Sequence, residues 1–338
     1  MDVTPVADPL RRRFRSTIRA MVDGSVSGHW ASIIAAQFAL GTDAVLSEAP
    51  VARGEQGQVW HLRTSTGRWA VKEAFRPISE PDIRYAADFQ AAACDAGVPT
   101  PRAVLDRTGN LIANLGTAQV RVSEWVDLLP PDIGLDPATV GRIVAGIHRV
   151  RFAVNAPLDP WFTEPVGRDR WNQLGRELQV AGAPFADQFA EMSDEFAAMD
   201  EWVRPPGVVQ TCHRDLWADN LLGTATGGVC VIDWEDCGPA DPSYELACML
   251  VEFGGGEPAR LRALYDSYRD NGGPGRVTGR GDFSMLIAQL GHICEIGCRD
   301  WLDPAARSTD RDHSAERFAE FVERPHNRAS LERILDAL

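Results

Sequence analysis

A chain of 338 residues with 44% hydrophobic and 24% charged side chains has the profile of a globular protein large enough for one large or two ordinary domains. Its formal charge of −14 excludes a phosphate-backbone binder, because nucleic-acid proteins concentrate Lys and Arg, and it favours cationic ligands unless it serves solubility alone. Seven scattered cysteines do not form the spaced framework of a small secreted scaffold and fit a reducing cytoplasm; Cys294 and Cys298, one helical turn apart with no further ligand at metal spacing, read as packing rather than zinc.

The amino-terminal arginines Arg11, Arg12, Arg13, Arg15 and Arg19 have no apolar run behind them, and Ala31 to Leu40, interrupted by Gln37, is too short to span a bilayer. Residues 1–43 therefore read as a helical extension, with neither export nor membrane insertion expected. From Ala44 the pattern turns to short β-prone runs, Val45 to Glu48, Gln58 to Arg63 and Arg68 to Glu73, with Thr64 to Gly67 as a hairpin turn. A helix from about Pro81 to Ala96 stops at Gly97 and Pro99, and Val104 to Leu105, Leu111 to Asn114 and Gln119 to Val122 read as further strands. A small lobe over residues 44–127 follows, built on an antiparallel sheet.

After the proline-rich stretch Leu129 to Pro137 the apolar spacing becomes helical, with Val140, Ile143, Val144 and Ile147 on one face behind the start residues Asp136 and Pro137. Further helices are predicted over Phe185 to Trp202, Pro258 to Arg269, Ser284 to Leu302 and Arg311 to Glu323, so residues 128–338 form a larger, mainly α lobe. The exception is Val229 to Asp233, which lies beyond the Gly227-Gly228 turn and pairs with Leu221-Leu222 as a hairpin. The fold class is therefore α+β.

His213-Arg214-Asp215-Leu216, three residues and then Asn220 match the kinase catalytic-loop pattern letter for letter, and Asp233 follows on the next strand. Phosphoryl transfer needs alignment, charge neutralisation by a divalent cation and a carboxylate beside the attacking hydroxyl. Asp215 fits the base, and Asn220 and Asp233 fit Mg²⁺ ligands, the amide adding no negative charge near the base. A phosphate cradle and a cation precede them: Ala70-Val71-Lys72 matches the strand that carries an ATP-binding lysine, and Gly54, Gly57 and Val59 have the spacing of a glycine-rich loop, with Ala52 where its first glycine would stand.

On these residues the chain resembles the aminoglycoside phosphotransferase and choline kinase-like enzymes, which share the two-lobed protein-kinase fold; the resemblance runs from about Ala44 to Leu302. It implies an ATP- and Mg²⁺-dependent small-molecule kinase, with Asp233-Trp234 as the metal-binding aspartate and its aromatic neighbour and Asp241-Pro242 opening a helix. It also implies that Arg121 to Val126 is the hinge whose backbone near Glu124 and Val126 meets adenine, and that His148 supports the catalytic loop. Arg214 departs from the family, which usually has glycine there, and Glu80, Asp82 and Asp88 compete as the acidic partner of Lys72.

A peptide kinase is disfavoured, because Asp-Phe-Gly and Ala-Pro-Glu are absent and seven residues separate Asp233 from Asp241. A nucleotide-binding module without catalysis would be favoured by loss of Lys72, Asp215, Asn220 or Asp233, and all four are in place. The expected acceptor is a small, amine-bearing hydroxyl compound, an aminoglycoside-like antibiotic or amino sugar. A fructosamine, suggested by Trp217, or a choline- or homoserine-type metabolite is the alternative. Glu235, Asp236, Glu245, Glu252, Glu295, Asp300 and Asp303 are candidates for a cation-binding wall, in a monomer or homodimer.

Overall fold

The computed structural model describes residues 24–54, 56–305, 311, 314, 315, 318 and 326–338. In chain order the elements begin with helix α1 (Gly24–Gln37) and strands β1 (Val45–Leu46), β2 (Ala52–Arg53), β3 (Gly57–Thr64) and β4 (Gly67–Ala74). Helix α2 (Glu80–Asp95) precedes β5 (Ala103–Val104), β6 (Ala113–Leu115) and β7 (Ala118–Glu124). Helices α3 (Pro137–Arg149), α4 (Pro160–Thr163), α5 (Arg168–Ala181) and α6 (Ala186–Asp200) lead to β8 (Gln210–Cys212), β9 (Leu221–Gly223), β10 (Val229–Val231) and β11 (Gly238–Ala240). The chain then runs through α7 (Pro242–Gly254), α8 (Pro258–Asp270), α9 (Ser284–Leu302) and α10 (Arg328–Ala337). It divides into two compact units, one holding the described residues up to Pro131 together with Asp219–Asp236, the other Asp132–Ala218 with Cys237–Leu338.

In the first unit an antiparallel sheet has the order β1-β3-β4-β7-β5, with β2 added to β3 and β6 to β7. Trp60 and Leu62 alternate along β3 toward the core, where they meet Val71, Val120 and Val122. Ala31, Ile34 and Ala35 of α1, with Phe38 just beyond its end, are spaced three and four apart and bury an apolar stripe in the same core. The expected strand Leu111 to Asn114 starts only at Ala113, because Leu111 and Ile112 are packed with Ile83 of α2 and their amides are taken by the Glu80 carboxylate at 2.9 and 3.0 Å. The β9–β10 hairpin forms as the sequence predicts, pairing Leu222 with Cys230 and Leu221 with Val231.

In the second unit α3 lies against α8, and α7 is apolar on nearly every face: Leu246, Ala247, Leu250 and Phe253 are all fully buried. Asp241 starts α7 by accepting the Ser243 amide on one oxygen and those of Gly207 and Val208 on the other, each at 2.9 Å. Two features have little sequence signal. Helix α5 is charged and anchored by Trp171, Leu174 and Leu178 alone, and the β8–β11 ladder is three residues long on each side.

The helix expected over 311–323 lies outside the described residues apart from single positions, as do the amino-terminal arginines. Among the described residues no helix is long and apolar enough to cross a membrane. All seven cysteines are free, and all but Cys94 are buried.

Because Ile34 is fully buried in the sheet unit's core, Ile34→Ala should cost about 3 kcal/mol in urea unfolding. A loss below about 0.5 kcal/mol would show α1 to be dispensable to that core.

Candidate active site

The catalytic-loop sequence leaves β8 at Cys212 and is fixed from α7. Glu245, fully buried, accepts the amide of Arg214 on Oε1, and on Oε2 the amide of His213 at 3.3 Å and the ring of His148 at 2.7 Å. A carboxylate can only accept, so His148 carries its proton on Nε2, leaving Nδ1 to the Tyr268 hydroxyl at 2.8 Å. That hydroxyl in turn takes the Gly275 amide at 2.8 Å. Burial alone would raise the Glu245 pKa, but the hydrogen bond from His148, the electrostatic influence of the His148 and His213 rings and the Arg214 amide hold it below the ordinary value.

The loop is also gripped from α9, where Gln289 Nε2 donates to the Arg214 carbonyl at 3.0 Å. The Asp215 amide donates to His213 Nδ1 at 3.3 Å. Arg214 has φ of +66°, a left-handed backbone that costs a side-chain-bearing residue about 1 kcal/mol and costs glycine little. The family's usual glycine at this position has its physical reason there.

His148, Cys212 and Glu245 offer three atoms within 4.8 Å of one another, but the imidazole nitrogens and both carboxylate oxygens are already engaged in hydrogen bonds. Glu245 therefore serves the loop rather than an acceptor. Glu252, 5% exposed, accepts the Ala218 amide at 3.2 Å, and Glu295 pairs with Arg170 at 2.6 Å. The acidic wall anticipated from sequence is thus partly spent on the fold.

In the sheet unit, Lys72 lies on β4 opposite Arg121 of β7, so two cations stand side by side. Lys72 Nζ is 2.7 Å from Asp233 and 2.5 Å from Glu235, and Arg121 reaches the other Glu235 oxygen at 2.5 Å. Burial opposes the Glu235 charge, yet Lys72 and Arg121 bring its pKa down to about 2. Glu235 is the partner of Lys72 that sequence reasoning missed. Glu80, one of the three residues proposed for that role, is engaged with Arg84 and with the Leu111 and Ile112 amides. The signal for Glu235 is the β4–β7 register, which sequence does not reveal.

Asp233 follows β10 with φ of +62°, and Trp234 behind it is locked by an edge contact with Phe89 and a 3.0 Å hydrogen bond to Thr100. The Ile232 amide donates to the Asn220 carbonyl at 2.9 Å, so the open end of the β9–β10 hairpin carries both residues. An amide oxygen and a carboxylate on one hairpin end suit a hard divalent cation, and the partly exposed Asp233 side chain already attracts a cation in Lys72. The residues present therefore fit Mg²⁺.

Gly54 and Gly57 close the β2–β3 hairpin, the Gly54 amide donating to the Gly57 carbonyl at 2.9 Å. A side chain on Gly57 would lie 2.3 Å from the Glu73 carbonyl oxygen, so the sheet itself requires glycine there; Gly54 faces open space. At the end of β7 the Glu124 amide is committed to the Arg102 carbonyl at 3.0 Å, whereas Val126 makes no backbone hydrogen bond among the described residues.

An antiparallel sheet unit carrying a lysine–carboxylate cluster and a helical unit carrying a clamped His-Arg-Asp loop define a protein-kinase-like fold. The phosphotransferase enzyme family matches residues 47–279, and the chain belongs to it. A homoserine kinase of Methylorubrum populi is 26% identical over 215 residues, covering 61% of this chain and 64% of that relative, less than two thirds of its length.

Among solved structures, a spectinomycin phosphotransferase in complex with ADP and spectinomycin superimposes with a TM-score of 0.68 at 13% identity, over 94% of this chain and 100% of that one. An aminoglycoside phosphotransferase of Alicyclobacillus acidocaldarius gives 0.61 at 18%, over 96% and 100%. Choline kinase of Streptococcus pneumoniae gives 0.57 at 16%, over 88% and 99%. At such identities the likeness is one of fold.

Glu245→Gln puts an amide donor among N–H donors in a closed site and should cost about 3 kcal/mol in chemical unfolding. A change below 1 kcal/mol would show that the clamp contributes little. Glu235, with its folded pKa depressed, contributes stability that is full above the unfolded value of 4.5 and is lost as pH falls through about 2. The stability gap between the native chain and Glu235→Gln, followed by denaturant titration, should therefore shrink between pH 4.5 and 2; a constant gap would contradict the ion-pair account.

Proposed function

We propose that the chain transfers the γ-phosphoryl group of ATP to a hydroxyl of a small molecule. The observation that carries this reading is the convergence of Lys72 on Asp233, 161 residues away in sequence, because both were assigned to the ATP–metal site independently. Membership of the phosphotransferase enzyme family supports it.

In this mechanism Lys72 neutralises the phosphates, Gly54, which faces open space, leaves room for their close approach to the backbone, and the chain near Glu124 and Val126 meets adenine. Asn220 and Asp233 would hold Mg²⁺, which when bound would offset charge on the transferring group. Asp215 takes the proton from the acceptor hydroxyl as its oxygen bonds to the γ-phosphorus and the bond to the ADP oxygen breaks. Glu245, His148 and Gln289 position the loop that carries Asp215. Glu235 would keep a carboxylate on Lys72 were Asp233 to hold the metal.

The acceptor is a small amine-bearing alcohol, in keeping with the net charge of −14, and the free thiols suit the cytoplasm.

Asp215→Ala should leave ATP binding within about twofold while cutting ADP release in the presence of acceptor by about a thousandfold. Asn220→Ala and Asp233→Ala should raise the Mg²⁺ needed for half-maximal rate or abolish turnover. Undiminished turnover in Asp215→Ala would end the kinase reading. ATP binding with no turnover of any hydroxyl compound would favour a non-catalytic nucleotide-binding module.

A further inference from the structure

Within the helical unit a cleft of about 330 Å³ is lined by residues 156–160, by Arg214 and by Cys237 to Pro239 at the start of β11. Its volume suits a small molecule. Apart from Asp159, Arg214 and the Cys237 thiol, the side chains around it carry no polar atom, and Pro157, Pro160 and Pro239 have a ring-fixed φ. Walls so built are apolar and set before a ligand arrives, which spares binding much of its ordering cost.

The cleft adjoins the catalytic loop. Gly238 and Pro239 pair with Cys212 and Thr211 of β8, the strand that the loop leaves, and Arg214 stands one residue before Asp215. The Arg214 guanidinium is taken up by the fold: the ring of the buried Phe162 lies 4.1 Å from Cζ, a β-carbon on Gly238 would fall 2.7 Å from Cζ, and Nη1 is buried. Arg214 therefore closes the cleft as packing surface. Asp159 differs. It is exposed, one of its oxygens accepts the Trp161 amide at 3.0 Å to cap α4, and the other has no partner among the described residues. That oxygen is the open acceptor of the lining, and a charged N–H donor satisfies a carboxylate best.

We propose that this cleft receives the acceptor, and that the acceptor is an amino alcohol carrying an apolar group. The apolar group lies between residues 156–160 and the start of β11, and the ammonium meets Asp159. The word acceptor rests on the kinase reading; the binding event itself does not depend on turnover.

The test is calorimetric binding of three probes to the full chain without nucleotide: phenylalaninol, which has ring, amine and hydroxyl; alaninol, which lacks the ring; and 3-phenylpropanol, which lacks the amine. Phenylalaninol should bind at least tenfold more tightly than alaninol, because only its ring fills the apolar space, and about threefold more tightly than 3-phenylpropanol, the worth of one exposed charge pair. Ala156→Trp fills the cleft from an exposed position and should weaken phenylalaninol binding at least tenfold. Asp159→Asn keeps the cap on α4, since asparagine accepts the Trp161 amide equally well, and should erase the amine's advantage alone. A ring preference below tenfold, undiminished binding in Ala156→Trp, or an amine advantage that is missing from the native chain or survives in Asp159→Asn would overturn the assignment. Any of these results would leave phosphoryl transfer to be judged by the Asp215→Ala measurement. Conversely, the expected preferences stand even if that measurement goes against a kinase, and the cleft then binds an amino alcohol that is not phosphorylated.

Discussion

One buried carboxylate sets the geometry on which the helical unit's chemistry depends. Glu245 has no contact with water, and its oxygens receive two consecutive loop amides and an imidazole N–H. An ion so placed is tolerable only because three N–H donors converge on its two oxygens. In return the loop has no freedom at His213 and Arg214, so Asp215 leaves a fixed backbone. Helices α3, α7, α8 and α9 each contribute a group to this arrangement, which makes the order of the helical unit a condition for the order of the loop.

The sheet unit solves a different electrostatic problem. Lys72 and Arg121 are neighbours across β4 and β7, and two adjacent cations would repel unless a carboxylate lay between them. Glu235 does so, and Asp233 adds a second negative charge on the Lys72 side. Lys72 therefore shares two carboxylates from a hairpin that follows it by more than a hundred residues, rather than one from α2.

Much of this was legible in the sequence, for identifiable reasons. Short β-prone runs on either side of the Thr64 to Gly67 turn marked β3 and β4, glycine and proline marked the stop of α2, and Gly227-Gly228 marked the β9–β10 turn. The His-Arg-Asp spacing marked the loop because its chemistry lies in contiguous residues. What could not be read was anything set by register or burial. Glu235 and Glu245 stood together as candidates for a cation-binding wall, and only the β4–β7 pairing and the interior position of α7 separate them. Likewise Arg214 read only as a departure from the family pattern, and the reason glycine suits this position appears only with φ of +66°.

The borders of the main sheet are made of fragments: β1, β2 and β5 have two residues each, and β6 has three. Strands so short present few unpaired amides and carbonyls in a row, while the long strands β3 and β4 are paired along both sides for much of their length. A second chain seeking to add a strand would find almost no template. The sheet unit is thus guarded against edge-to-edge association by the brevity of its outer strands, and its solubility does not depend on the acidity of the chain alone.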